Sequence, residues 1–256
     1  MEKVKLVSEN GVSTITLNRP DNYNALDVET LIQLLDIIET VEENEDQIIV
    51  ITGSGKAFSA GGDINMMEKI HDNKKFDELM DSIEKMTLKL YMMPKLVITA
   101  VNGSAAGLGM SLALNSDYIV AQNEARFGML FAGIGLIPDG GGHFFLKERL
   151  GTHHAKQFIW SLEQVKGEKA KKLGFVDLLT DENAADAAHQ LAKKLQHAPL
   201  QAMIESKMIY HGKQKEELRS LLQQEKHSQL KMRNTEDHKE GIRAFLEKRK
   251  PVFQGK

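Results

Sequence analysis

Asp139 is the side chain in this sequence best suited to exchanging a proton with a carbon acid. It lies within Ile134-Gly135-Leu136-Ile137-Pro138-Asp139-Gly140-Gly141-Gly142, as the one carboxylate of a glycine-rich, apolar turn. Two earlier segments, Phe58-Ser59-Ala60-Gly61-Gly62-Asp63 and Val101-Asn102-Gly103-Ser104-Ala105-Ala106-Gly107-Leu108-Gly109, are built of small residues that leave backbone N–H groups open to a ligand. An acid facing two N–H donors suits proton removal beside a carbonyl. The donors hold the oxygen as charge develops on it, and the acid carries the proton. An aspartate before glycine is most often an ordinary turn residue. Here Phe131, Ile134, Leu136 and Ile137 favour the functional reading, because an apolar setting raises a carboxyl pKa toward the working pH.

The two glycine segments share one design: a strand, a loop of small residues, then a helix start. Without side chains in the way, the backbone approaches a ligand closely, and the helix start adds free N–H groups and the positive end of its dipole. Each loop is able to aim one N–H at the same oxygen, and a backbone donor such as that of Leu108 tolerates almost any side chain. A nucleotide-binding P-loop fails at Gly55-Lys56, whose leading glycine position holds Val50 and whose Ser/Thr position holds Ala57. Asp63 has a structural reading as an acid in the first turn of a helix. Met66, Met67 and Met110 fall close enough to the loops to line an acyl pocket. His153, His154, His189, His197, His211, His227 and His238 form no metal-binding spacing and read as solvated surface residues, and Trp160 reads as core.

These loops need a scaffold, and the patterning supplies an α/β one. Lys3–Val7 and Val12–Leu17 alternate around Glu9-Asn10-Gly11, predicting a hairpin. Asp27 predicts the N-cap of a helix running to about Glu42. Gln47–Thr52, Leu96–Val101 and Asp117–Ala121 read as buried strands. Residues 63–92 read as helical with a break near His71–Lys74, and Gly107–Leu114 as a helix. Strands alternating with helices imply parallel pairing. From about Asn183 the chain becomes charged and helical in periodicity, over 184–197, 199–211, 214–231 and 235–248. No internal repeat is visible. The organisation expected is a core over residues 1–195 and a helical extension over 196–256.

With 256 residues the chain is long enough to bury a full core. A net charge of −3 gives no basic footprint for nucleic acid. No apolar run approaches the roughly 18 residues of a membrane span, and the N-terminus lacks a signal-peptide core. The absence of cysteine excludes disulfides and thiolate metal sites. The expectation is a cytoplasmic enzyme with no metal, no nucleic-acid partner and no membrane partner.

Taken together, Thr16-Leu17-Asn18-Arg19-Pro20, Asn24-Ala25-Leu26, Ala57-Phe58-Ser59-Ala60-Gly61-Gly62-Asp63, Ala100-Val101-Asn102-Gly103 and Glu240-Gly241-Ile242-Arg243-Ala244-Phe245-Leu246-Glu247-Lys248-Arg249 resemble the crotonase family, the enoyl-CoA hydratase/isomerase superfamily. The resemblance covers nearly the whole chain. It implies a spiral of ββα turns followed by C-terminal trimerisation helices, assembled as a homotrimer or a dimer of trimers. It also implies an acyl thioester of coenzyme A as substrate, with no separate cofactor. Carried over by motif, the oxyanion-hole donors are the N–H groups of Gly62 and Leu108. Coenzyme A is expected to meet Ala60, Asp63, Ile64 and Asn65, and basic residues near Arg19 and Lys248.

Two glutamates typical of hydratases in that family are absent. Ser111 and Phe131 stand where they would fall. Asp139 stands where several isomerases and dehalogenases of the family carry their key carboxylate, and the sequence looks most like the 1,2-epoxyphenylacetyl-CoA isomerase branch. The resemblance therefore implies an acyl-CoA isomerase that shifts a double bond, or opens an epoxide, beside the thioester. Fatty acid metabolism or phenylacetate degradation is the setting it suggests. The alternatives are a residual enoyl-CoA hydratase, a dehalogenase-like enzyme with Asp139 as nucleophile, and a catalytically silent acyl-CoA-binding protein.

Overall fold

The hairpin around Asn10-Gly11 forms as expected. Strands β1 (Val4–Glu9) and β2 (Val12–Leu17) pair antiparallel, and Asn10 and Gly11 take positive φ values of 53° and 76°, as a two-residue I′ turn requires. The structure is a computed structural model. It describes every residue except Met1 and His71, and every side chain except theirs and those of Met67, Glu68 and Lys69. Helix α1 (Val28–Glu43) starts where Asp27 accepts the Thr30 N–H at 2.8 Å, and buries Leu31, Leu34, Ile38 and Val41.

Three successive units then repeat one plan of long strand, short strand and helix. The first is β3 (Ile48–Gly53), β4 (Ala57–Ser59), α2 (Ile64–Lys69) and α3 (Asn73–Tyr91). The second is β5 (Leu96–Val101), β6 (Ser104–Ala106) and α4 (Leu108–Leu114). The third is β7 (Tyr118–Gln122), β8 (Arg126–Gly128) and α5 (Gly142–Ser161), kinked at Gly151 with φ 70°. After them come β9 (Val165–Lys166), α6 (Gly167–Leu173), β10 (Leu178–Thr180), α7 (Ala184–Gln196), α8 (Leu200–Arg233) and α9 (Glu236–Leu246). The long strands join a six-stranded sheet in the order β1-β2-β3-β5-β7-β10, parallel from β2 onward. The short strands stack as a second sheet, β4-β6-β8-β9. The repeat absent from the sequence is thus present in the architecture.

Both faces of the large sheet are covered, so β3 and β5 are buried along their whole length and mostly apolar, with Thr52 and Thr99 the polar exceptions. On β3, Ile49 and Ile51 enter the main core with α1 and α3, while Ile48 and Val50 pack against Ala184, Ala188 and Ala192 of α7. Those alanines, four residues apart, bring α7 close to the sheet.

Several expectations need correction. Residues 199–211 and 214–231 form one helix of 34 residues, because a lone exposed glycine such as Gly212 weakens a helix without breaking it. The break expected near His71–Lys74 falls between α2 and α3, with His71 itself outside the described residues. Trp160 is not core: it is 62% exposed on α5, with the Lys156 ammonium 5.6 Å from its ring centre. His211 and His238 are not solvated surface residues. His211 stacks on Tyr91 at 3.9 Å, and buried His238 bonds the Ile134 carbonyl through Nδ1 at 2.8 Å. Burial holds both imidazoles below the ordinary histidine pKa.

Candidate active site

The two small-residue loops meet at the ends of β4 and β6. Leu26 forms a bridge with Gly62, in which the Leu26 N–H bonds Gly61 O at 2.8 Å and the Asp63 N–H bonds Leu26 O at 3.2 Å. The N–H of Gly62 is left out of that bridge. Among the described residues neither it nor the N–H of Leu108, the first residue of α4, donates to a protein acceptor. Close approach at one glycine and a left-handed backbone at both explain these residues. Gly61 has φ 89°, and a methyl group on it would lie 2.6 Å from Ala106 O and 3.2 Å from Leu108 N. At Gly107 the reason is the backbone, whose φ of 53° strains any other residue; a methyl group there would only touch the Phe131 ring, at 3.6 Å.

A polar lattice holds the first loop in place. Asn24, itself at φ 54°, bonds Ser54 O and Ala57 O through Nδ2 and accepts from the Arg19 N–H. Ser59 Oγ donates to Asn24 O and accepts from the Gly61 N–H. Asp63 caps α2 by accepting from Asn65 N and Met66 N, and pairs with the Arg19 guanidinium at 3.1 Å. Arg19 also bridges Asp27 at 3.3 Å, so its charge is engaged within the protein.

Asp139 approaches from the turn before α5. Among the described residues its Oδ2 accepts one hydrogen bond, from Gln229 Nε2 at 3.2 Å, and its buried Oδ1 has no partner. Burial, reinforced by the Glu225 carboxylate, pushes its pKa up to about 8. The turn is coupled to the second loop. Ser111 Oγ on α4 donates to Asp139 O at 2.7 Å, and the Leu108 side chain fills the space above Gly140. Ser111 and Phe131 are both buried. One latches the aspartate turn and the other covers Gly107, so neither position offers a carboxylate.

The predicted site residues therefore fall into three groups. Gly62, Leu108 and Asp139 converge through the Gly61–Ala106 and Leu108–Gly140 approaches. Ala60, Asp63, Ile64 and Asn65 adjoin Gly62 at the start of α2, with Ala60 and Asn65 exposed. Lys248 lies apart, exposed just beyond α9 with φ 54°, and no hydrogen bond or ion pair links it to residues 60–65 among the described residues. Met66 is half-buried, Met110 is enclosed in the core, and the Met67 side chain is outside the described set. Among the described residues, no group of three or more His, Asp or Glu is arranged to hold a metal ion, and no helix is long and apolar enough to cross a membrane. A cavity of about 460 Å³ opens elsewhere, lined by Tyr91, Lys207 and His211. It includes none of these residues, and its buried Lys207 is already paired with Asp117 at 2.8 Å.

Glu225 and Gln229, the side chains flanking Asp139, escaped sequence reasoning. Their signal was available: with Leu218 and Leu222 they continue one buried stripe at helical spacing through 214–231.

Comparison with known proteins agrees with this architecture. The profile of the enoyl-CoA hydratase/isomerase family matches residues 7–256. YhaR of Bacillus subtilis (strain 168), named for that family, is 47% identical over 99% of this chain and 100% of its own length. The 1,2-epoxyphenylacetyl-CoA isomerase of Escherichia coli (strain K12) is 35% identical over the full length of both chains. The crystal structure of an enoyl-CoA hydratase from Mycobacterium avium subsp. paratuberculosis K-10 superposes with a TM-score of 0.89 over 98% of each chain, at 28% identity. The chain belongs to the enoyl-CoA hydratase/isomerase family and is a CoA-thioester-processing enzyme of the crotonase fold.

Proposed function

We propose that this enzyme is an acyl-CoA isomerase in which Asp139 is the single acid/base. The thioester carbonyl accepts hydrogen bonds from the N–H groups of Gly62 and Leu108. Asp139 removes a proton from the carbon beside the carbonyl, the electron pair moves onto the thioester oxygen as an enolate, and the same carboxyl returns the proton farther along the chain. The double bond shifts and no atom is gained or lost. With an epoxide beside that carbon, the same enolate chemistry opens the ring.

The observation that carries this reading is the state of Asp139: buried, with no cation partner and one oxygen unpartnered among the described residues, and a pKa near 8. Such a group accepts and releases a proton near neutral pH. Ser111 and Phe131 support isomerisation over hydration, because neither is able to activate water as a carboxylate does. The isomerase relative at 35% identity supports the same choice. Coenzyme A enters as part of the substrate, with the Ala60–Asn65 segment, exposed at Ala60 and Asn65, as its contact and no further cofactor. We assign residues 196–256 to trimer assembly. The exposed Ile209 and Tyr210 of α8 and Phe245 of α9 support a surface that a second copy covers.

The test is a parallel assay of the purified protein on a linear 3-enoyl-CoA and on crotonyl-CoA. Formation of the conjugated 2-enoyl-CoA from the first, with little hydration of the second, is the expected result. Hydration without isomerisation overturns the proposal. Activity on neither, with retained thioester binding, directs the assay to epoxide substrates.

A further inference from the structure

Helix α8 turns positions 218, 222, 225 and 229 toward the core. Leucines fill the first two, while Glu225 and Gln229, both buried, fill the others. Packing alone favours apolar side chains at such positions, and polar ones need partners to stay there. Their partners are the alternate residues of the Asp139 turn. Gln229 Nε2 donates to Ile137 O at 2.6 Å and to Asp139 Oδ2 at 3.2 Å. Glu225 accepts from Gly141 N at 2.8 Å and from His143 N and Nδ1 at 3.1 and 2.8 Å. One side chain thus grips the turn before and at the aspartate, the other just after it.

We infer that Gln229 and Glu225 are the positioning residues for Asp139: Gln229 anchors Oδ2 so that Oδ1 is the oxygen that carries the proton, and Glu225 pins the turn that aims it. The inference rests on the reading of Asp139 as the base. The two residues act on its proton affinity in opposite senses. The Gln229 N–H favours the carboxylate, and the Glu225 anion opposes it. The other groups packed around the turn leave this balance to them. His143 of α5 is tied to Glu225, while α4 presents Leu108 and Ser111 and α3 presents Ile83 and Thr87, all uncharged.

The experiment uses full-length Gln229→Leu and Glu225→Gln. It reads steady-state kinetics on a 3-enoyl-CoA, and the pH titration of the protonated Asp139 C=O stretch in infrared difference spectra, assigned by its loss in Asp139→Asn. Gln229→Leu should lower kcat about 10- to 100-fold, the scale of a small misplacement of a reacting group, with KM changed far less. Its Asp139 midpoint should rise, and that of Glu225→Gln should fall. A merely structural role predicts no such opposed shifts. Folded variants with an unmoved midpoint, shifts of the same sign, or an unchanged kcat overturn the inference. If the leucine variant does not fold, Gln229→Asn carries the test, with the same upward shift expected. Should Asp139→Asn keep activity, the base reading fails on its own, and the titration still reports on positioning. If Asp139→Asn is inactive and the midpoints stay put, only the positioning inference falls.

Discussion

Two aspartates adjoin glycine loops in this protein, Asp63 after one and Asp139 before one, and their surroundings differ sharply. Asp63 accepts two backbone N–H groups at the start of α2 and an ion pair from Arg19. Among the described residues, Asp139 receives one side-chain hydrogen bond, has no cation beside it, and faces the Glu225 carboxylate. Both carboxylate oxygens of Asp63 are already partnered within the protein. Asp139 keeps one oxygen unpartnered, so its proton is the one left for chemistry. The contrast teaches that a carboxylate's role follows from how far its charge is already satisfied, rather than from the turn it occupies.

Substitution at Asp139 should give the largest change in activity. Asp139→Asn is expected to lower isomerase kcat by roughly 10²- to 10⁴-fold, the usual contribution of a positioned acid/base, as read by steady-state kinetics. Stability should respond differently. In the folded protein Asp139 holds its proton up to about pH 8, against 3.8 for an unperturbed aspartate. Folding therefore takes up a proton between those values, and stability falls as pH rises through that window, by at most about 1.4 kcal/mol per unit. Below it the group is protonated in both states and contributes no slope. Denaturation midpoints measured from pH 4.5 to 8 should show this decline in the wild type and a flatter profile in Asp139→Asn. An identical profile in both would mean that Asp139 is not protonated by burial.

Next in size is Gly61→Ala. Its methyl group would press on Ala106 O at 2.6 Å from a backbone at φ 89°, displacing one loop from the other. A loss of about 10²- to 10³-fold in kcat is expected, comparable to losing one oxyanion donor, and a retained kcat would remove the two loops from the chemistry. Ser111→Ala should cost about 1 kcal/mol of stability for the bond to Asp139 O, with kcat reduced by less than in Gly61→Ala. The smallest effect belongs to Asp63→Ala, which removes a helix cap worth about 1 kcal/mol. Chemical denaturation should register that loss while kcat stays near the wild-type value. A collapse of kcat in Asp63→Ala would erase the distinction between the two aspartates.

Much of this was legible before folding. The Asn10-Gly11 turn, the Asp27 cap and the apolar runs at Ile48–Gly53 and Leu96–Val101 depend on local sterics and hydrogen bonding, which a few consecutive residues express. Strands β4, β6 and β8 have three residues each, too few to show a period, and exist because they stack on one another. The fate of Trp160, His211 and His238 was misjudged because exposure depends on which helices pack where, not on neighbours in the chain.

The same division runs through the site. Gly61, Gly107 and Asp139 declare themselves as residues, because a backbone that must turn left-handed or approach another strand needs glycine, and proton transfer needs a titratable group. Three things were decided elsewhere: which aspartate is satisfied, which N–H groups stay free, and how strongly Asp139 holds its proton. The first two follow from where the β4 and β6 loops meet Leu26 and Arg19, and the third from α8, which brings Glu225 and Gln229 across some ninety residues of sequence to a turn that cannot reach them locally. Charge and solvation act through space, and only the folded chain fixes those distances.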